Sequence, residues 1–249
     1  VFDQAEIDKE RGVILEEINM YEDNPLMYVD NIFENSVYEG HSLGRLIIGP
    51  REVIKNVTRK NILAYRDTFY SPRNMFVTVA GKCTTKQVAG LAKKYFGRSA
   101  QSFKKTPITK FNSKQTKSRV AIMRKDTEQI QLCLGFPAYG LTDKRLSALT
   151  LMGVILGGNM SSRLFVSVRE KHGLAYFVKA AADAYQDTGS FIVQAGLDKK
   201  RLPQAIRLIM EELKKISDHG VTDHELATAK DFVRGKLVLG LEDSEAVAD

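Results

Sequence analysis

Between Arg98 and Arg119 the chain carries seven basic residues (Arg98, Lys104, Lys105, Lys110, Lys114, Lys117 and Arg119) and no acidic one. A run of this kind, rich in Ser, Thr and Gln and holding Pro107, reads as a solvated linker rather than an element with a buried face. It divides the 249 residues into two stretches, each long enough for a domain with its own core. The expected organisation is a first domain ending at residue 97, a basic linker over 98–118 and a second domain over 119–249. The run also accounts for the whole net charge of +7, and basic and acidic residues balance elsewhere. A nucleic-acid module would have to use this run, which lacks interleaved aromatics beyond Phe103 and Phe111 and any recognised motif. No nucleic-acid partner is therefore expected.

The first stretch reads as mainly helical. Helix formers run from Asp3 to Tyr21, and after the break at Pro25 a second helix reaches about Tyr38. Gly40, Gly44, Gly49 and Pro50 mark a loop. Thr58 can cap a helix that stops at Ser71-Pro72. Met75–Ala80 (MFVTVA) predicts a buried strand, and Thr84 with Gln87 forms a capping box for a helix ending at Gly97. Beyond the linker the order changes. Strands are predicted over 119–124 and 129–136, a helix over 144–156 up to Gly157-Gly158, and a short helix over 163–171. A strand pair follows around Asp187-Thr188-Gly189, then a long helix from about Lys200 to Ser217. Thr222 and Glu225 form another capping box, opening a helix predicted to run on to Asp249. Irregular alternation with hairpin-like connections gives the fold class: α+β, as two similar domains, each an antiparallel or mixed sheet packed with helices.

Bulk properties narrow the function. The longest apolar run, Ala148–Leu156, is far too short to span a bilayer, so no membrane partner is expected. Cys83 and Cys133 stand in strand-like apolar surroundings and read as reduced, packed thiols of a cytoplasmic protein. His41, His172, His219 and His224 show no zinc-ligand spacing. The chain opens on Val1 inside a helix-forming segment, which predicts that the natural start lies upstream.

Two features carry potential chemistry. Glu10 and Glu17 are seven residues apart, just under two helical turns, which puts them on one face about 10 Å apart along the axis. That face also holds Val13, Ile14 and Tyr21, so the carboxylates need a cationic partner or a metal. Spacing alone leaves rim salt bridges as the plainer reading. The second feature is the block Gly157–Tyr176, GGNMSSRLFVSVREKHGLAY, a polar elbow followed by a helix carrying Arg169 and a turn to Tyr176. Taken by itself it leaves Arg169 as a surface residue.

Taken together, EIDKERGVILEEINMYEDNP, YSPRNMFVTVAG, DTEQIQLCLGFP, the elbow block and DTGSFIVQAG resemble the pitrilysin/insulinase family of inverted zinc metallopeptidases, processing peptidases included. The resemblance covers essentially the whole chain. It implies that Glu17 is the third zinc ligand, that Glu10 is a carboxylate supporting the metal site, and that Arg169 and Tyr176 contact the substrate carbonyl or its oxyanion. The family's H-x-x-E-H helix, with two zinc histidines and the general base, lies further upstream than the residues preceding Glu17 here. One ligand of the three that a catalytic zinc site needs is thus present. The fragment alone is expected to be inactive and to bind no zinc, and the second domain is expected to be truncated at its C-terminal end.

For an intact parent the resemblance implies a zinc-dependent endopeptidase that hydrolyses extended peptides with metal-activated water. The two halves would close about the substrate, and the molecule would work as a homo- or heterodimer in the cytoplasm or, alternatively, the mitochondrial matrix. The competing reading is a non-catalytic scaffold subunit of the same family.

Overall fold

The computed structural model describes residues 2–97, 107–113 and 115–248. Helices α1 (Gln4–Asp23), α2 (Pro25–Val37), α3 (Arg51–Asn56), α4 (Arg59–Phe69) and α5 (Thr85–Phe96) precede strand β1 (Gln129–Ala138). Then come α6 (Leu146–Gly153), β2 (Ala175–Ala184), β3 (Gly189–Asp198), α7 (Leu202–His219), α8 (Asp223–Gly240) and α9 (Ser244–Ala248). The fold class is α+β. Among the described residues no helix is long and apolar enough to cross a membrane.

Two compact units emerge. The first comprises Val1–Glu16, Gly49–Thr109 and Arg234–Asp249; the second comprises Glu17–Ile48 and Lys110–Val233. Packing therefore groups the chain differently from charge pattern, since Glu17–Ile48 falls with the residues beyond the linker. Residues 98–106 and 114 of the predicted linker lie outside the described residues.

The first unit is held by local chemistry. Arg11 donates to the carbonyl oxygens of Ile54 (3.0 Å) and Val57 (2.8 Å), satisfying acceptors at the end of α3, where a cation suits the helix terminus. Thr58 and Asn61 form a capping box on α4, and Thr84 and Gln87 form one on α5. Yet no apolar side chain of this unit is buried, and Ser71 is its one buried residue among those described. Met75–Ala80 departs most from expectation. It is neither buried nor paired in a sheet, and Phe76 is fully exposed. The α-helical C-terminus also differs from the uninterrupted helix predicted. α8 stops at Gly240, and Asp243 accepts from the Glu245 backbone N–H (2.8 Å) to start α9. Cys83 is exposed rather than packed.

The second unit contains the core. Its sheet has the order β1-β3-β2, antiparallel throughout, with β1 paired to β3 from Gln129↔Asp198 to Ala138↔Gly189. Central β3 is the most buried strand. Phe191, Val193, Ala195 and Leu197 are all close to fully buried and cluster with Leu156, Leu164 and Val168 and with α7. α7 contributes Ala205, Leu208, Ile209, Leu213 and Ile216, an i, i+3, i+4 apolar stripe of one helical face. Residues 119–124, predicted as a strand, form no ladder; Val120 is 81% and Ile122 80% exposed. As at 75–80, the residues are suited to a strand, but among the described residues no neighbouring strand pairs with them.

α2 lies against this sheet through polar contacts. The Gln194 amide donates to the Leu26 carbonyl (3.1 Å), and the Tyr185 hydroxyl donates to Glu34 (2.5 Å). Phe111 packs edge-on against Tyr38 (4.9 Å) and His41 (5.4 Å), and its backbone N–H donates to Asp187 (2.9 Å).

Candidate functional site

The elbow block of the second unit is held at both ends. α6 runs into a π-helical segment, Val154–Gly158, broken by the non-helical Gly157. A Cβ at Gly157 would lie 2.2 Å from the Ala180 nitrogen and 2.7 Å from the Lys179 carbonyl carbon. Only glycine lets this turn press on the backbone of β2. The Asn159 side chain then accepts from the Ser161 N–H (2.9 Å), closing the elbow.

Arg163 fixes its far end. Its guanidinium makes a bidentate pair with Glu225 (2.6 and 2.8 Å) and reaches the Gly220 carbonyl (3.3 Å). Glu225 is also the third residue of α8 and accepts from Thr222 N–H and Oγ1 (2.8 and 2.9 Å). The Arg163 hydrogen bonds, followed by those from Thr222, hold the Glu225 carboxyl down at about 2.

A second π-helical segment, Phe165–Lys171, carries Arg169; such segments are frequent at functional sites. Val168 is fully buried beneath it, while Arg169 is exposed with its guanidinium 4.8 Å from the Phe165 ring centre. Gly173, at φ +57°, turns the chain into β2, and its carbonyl is held by Arg201 (2.6 Å). The pairing of β2 with β3 then slips, with Ala175 opposite Leu197 but Phe177 opposite Gly196. Tyr176 is the residue in this bulge and is 66% exposed, although Ala175 beside it is buried. Bulges of this kind re-aim a side chain. Neither Arg169 nor Tyr176 serves the core.

The two glutamates are placed differently from expectation. Both lie on α1, Glu10 in the part belonging to the first unit and Glu17 in the part belonging to the second. Both are exposed, and Val13 between them is 46% exposed, while Ile18 is the buried residue of the helix. The Glu10–Val13–Glu17 face is thus open rather than an apolar stripe turned into packing. Among the described residues neither carboxylate has a hydrogen-bonding or ionic partner. Within the second unit, Arg169, Tyr176 and Glu17 are joined by no such contact to one another among the described residues. Nor do three or more His, Cys, Asp or Glu side chains converge anywhere among the described residues in a way that could hold a metal.

Sequence reasoning did not find the polar seam under α2. There the Cys133 thiol faces Asp30 (3.7 Å), and burial followed by that carboxylate pushes it up to about 12. Burial, then Asp30, also raises the Asp183 carboxyl, with Lys179 opposing. Burial and Glu34 raise the Tyr185 hydroxyl. The one local signal was the i, i+4 acidic pair Asp30 and Glu34 on α2; the other members come from β1, from β2 and from the residue just after β2. A cleft of about 670 Å³ opens on another side of α2, lined by Tyr28, Asn31, Asn35, Glu39 and Arg119 among others.

Solved structures give the class. The chain superposes on a protease from Helicobacter pylori with a TM-score of 0.90 at 27% identity, over 100% of this chain and 61% of that one. It is a peptidase-type α+β fold. The family described as "Peptidase M16 inactive domain" matches residues 56–233, and the chain belongs to it. Among curated relatives, the uncharacterized zinc protease YmxG of Bacillus subtilis is 34% identical over 245 residues, covering 98% of this chain and 59% of its own length. An uncharacterized zinc protease of Streptomyces coelicolor is 33% identical over 249 residues, covering 98% and 54%. The chain therefore spans little more than half the length of these relatives.

Proposed function

We propose that this chain is part of a zinc-dependent endopeptidase acting on extended peptides or unfolded segments, and that its second unit supplies substrate contacts. The observation that carries the reading is the exposure of Arg169 and of the bulged Tyr176 on a tightly fixed elbow, where neither residue is part of the buried core. The relatives' names, zinc proteases of two bacteria, support the class of activity.

Glu17 is the candidate zinc ligand and Glu10 its supporting carboxylate. The residues present do not by themselves fit a zinc centre, since catalytic zinc takes three protein ligands and a water and no such set converges among the described residues. The contribution of this chain is to bind the substrate and to stabilise charge on its carbonyl oxygen. Tyr176 donates its hydroxyl proton in a hydrogen bond to a substrate carbonyl, and Arg169 donates from its guanidinium to the same oxygen as negative charge gathers there. We further assign residues 1–97 to a first domain, 98–118 to the linker and 119–249 to a second domain. We also assign the parent to the cytoplasm, with the mitochondrial matrix as the alternative, and expect a homo- or heterodimer without nucleic-acid or membrane partners.

Tyr176→Phe and Arg169→Ala in the full-length parent test this. Losing one oxyanion donor costs about 10²–10³ in kcat, and zinc content and thermal midpoint should stay at the parent's values. Unchanged kcat in both variants would refute the role. An upstream sequence without H-x-x-E-H would instead favour the scaffold reading.

A further inference from the structure

A short turn joins Arg169 to Tyr176, and its orientation decides where the Tyr176 hydroxyl lies relative to the guanidinium. The N–H groups of this turn are held from within. Gly173 donates to the Arg169 carbonyl (2.9 Å) and Leu174 to the Val168 carbonyl (3.0 Å), and the Leu174 side chain is buried. Its carbonyls are held from outside, by the corner that follows β3. The Leu174 carbonyl accepts from the Asp198 N–H (3.4 Å). The His172 and Gly173 carbonyls have no backbone partner among the described residues. The Arg201 guanidinium donates to both, Nη1 to His172 at 3.4 Å and Nη2 to Gly173 at 2.6 Å. The peptide planes 172–173 and 173–174 are therefore gripped at both ends, the N–H by the helical segment and the carbonyl by Arg201.

Asp198 aims Arg201. One of its carboxylate oxygens accepts from Arg201 Nε (3.2 Å) and the other from the Lys200 N–H (2.9 Å). The side chain that closes the corner after β3 thus also sets the direction of the guanidinium. These contacts add little to stability. Arg201 and Asp198 keep 44% and 40% of their side-chain exposure, an exposed pair contributes little, and water would satisfy both carbonyls nearly as well. What Arg201 removes is rotation of the two peptide planes just ahead of Ala175 and Tyr176.

We propose that Arg201, oriented by Asp198, is a positioning residue that fixes Tyr176 relative to Arg169 at the substrate carbonyl; this rests on the substrate role given to those two residues above. Arg201 acts through the turn, since its donors go to His172, Gly173 and Asp198.

Kinetics of the full-length parent test it, with Arg201→Met alone and combined with Tyr176→Phe. A misplacement of about 1 Å costs up to about 10²-fold. Arg201→Met should therefore lower kcat about 10- to 100-fold and leave KM, zinc content and thermal midpoint near the parent's. In the Tyr176→Phe background the same change should cost less than about twofold, because the hydroxyl it positions is gone. Arg201→Lys keeps the charge without the planar fork and should recover little of the loss. Hydrogen–deuterium exchange gives a readout that does not depend on turnover: Arg201→Met should speed exchange at Gly173 and Leu174 and leave β3 as protected as in the parent. A costly Tyr176→Phe beside a silent Arg201→Met would overturn this inference alone. So would losses that multiply in full in the double variant, complete rescue by lysine, unchanged exchange at 173–174, or loss of protection throughout β3. A silent Tyr176→Phe would instead remove the substrate role beneath it, and the positioning role with it.

Discussion

The Arg163–Glu225 pair offers a measurement in which size, sign and pH range all follow from the structure. Glu225→Gln removes the charge while leaving at this position of α8 a residue that a capping box accepts. Its carboxyl is held from 4.5 down to about 2, and each unit corresponds to about 1.4 kcal/mol, which bounds the contribution at about 3 kcal/mol. The two side chains keep 20% and 27% of their exposure, so water screens part of this and about 1–2 kcal/mol is expected. Because the folded-state value is depressed, the stabilisation is complete above the unfolded value near 4.5 and drains away as pH falls toward 2. Urea unfolding followed by circular dichroism at pH 7, 4 and 3 reads the difference between the parent sequence and Glu225→Gln. The gap should be widest at pH 7 and shrink steadily with acid. An Arg163→Met variant should show the same gap, and the double variant should lose little beyond either single one. A gap that is independent of pH, or additive losses in the double variant, would refute the ion-pair account and leave Glu225 as a cap alone.

Two further outcomes follow from close packing and burial. Gly157→Ala should destabilise the second unit by about 1–3 kcal/mol, because the added methyl meets β2 backbone that cannot swing aside; a urea midpoint equal to the parent's would show that the elbow yields. With iodoacetamide at pH 8, exposed Cys83 should be alkylated while Cys133, pushed up to about 12, stays unmodified until the chain is denatured, since the thiolate is the reactive form. Peptide mass spectrometry distinguishes the two, and equal labelling would contradict the buried seam under α2.

Local chemistry was legible where one stretch of chain decides the outcome. Thr84 with Gln87 and Thr222 with Glu225 cap helices as their spacing predicts, because a capping box needs nothing beyond its own turn. Pairing was not legible. Residues 75–80 and 119–124 have strand composition, but a ladder depends on a neighbour that composition does not reveal. For the same reason Arg169 and Tyr176 could be named from resemblance while the bulge that exposes Tyr176 stayed hidden, as register belongs to two strands together. The glutamates show a third limit. Val13, Ile14 and Tyr21 gave α1 an apolar look on the side of Glu10 and Glu17, whereas burial settled on Ile18. The seam under α2 joins Glu34 to Tyr185 across 151 positions of sequence, and no spacing rule reaches that far.

Phe111 pins the basic run. Charge alone runs the basic tether to Arg119, yet the Phe111 ring sits on Tyr38 and His41 and its N–H is taken by Asp187. The basic run is thus already fastened at Phe111, several residues before its last cation. A foreign sequence spliced in ahead of Phe111 leaves this pin in place, whereas the same insertion between Phe111 and Arg119 sets extra length inside a span already fastened, with Arg119 donating to the Ser36 carbonyl (2.7 Å). A version with residues 98–118 deleted would lift the aromatic cover of Phe111 from Tyr38, which is fully buried here. Whoever cuts or lengthens this protein should count from the ring, not from the charges.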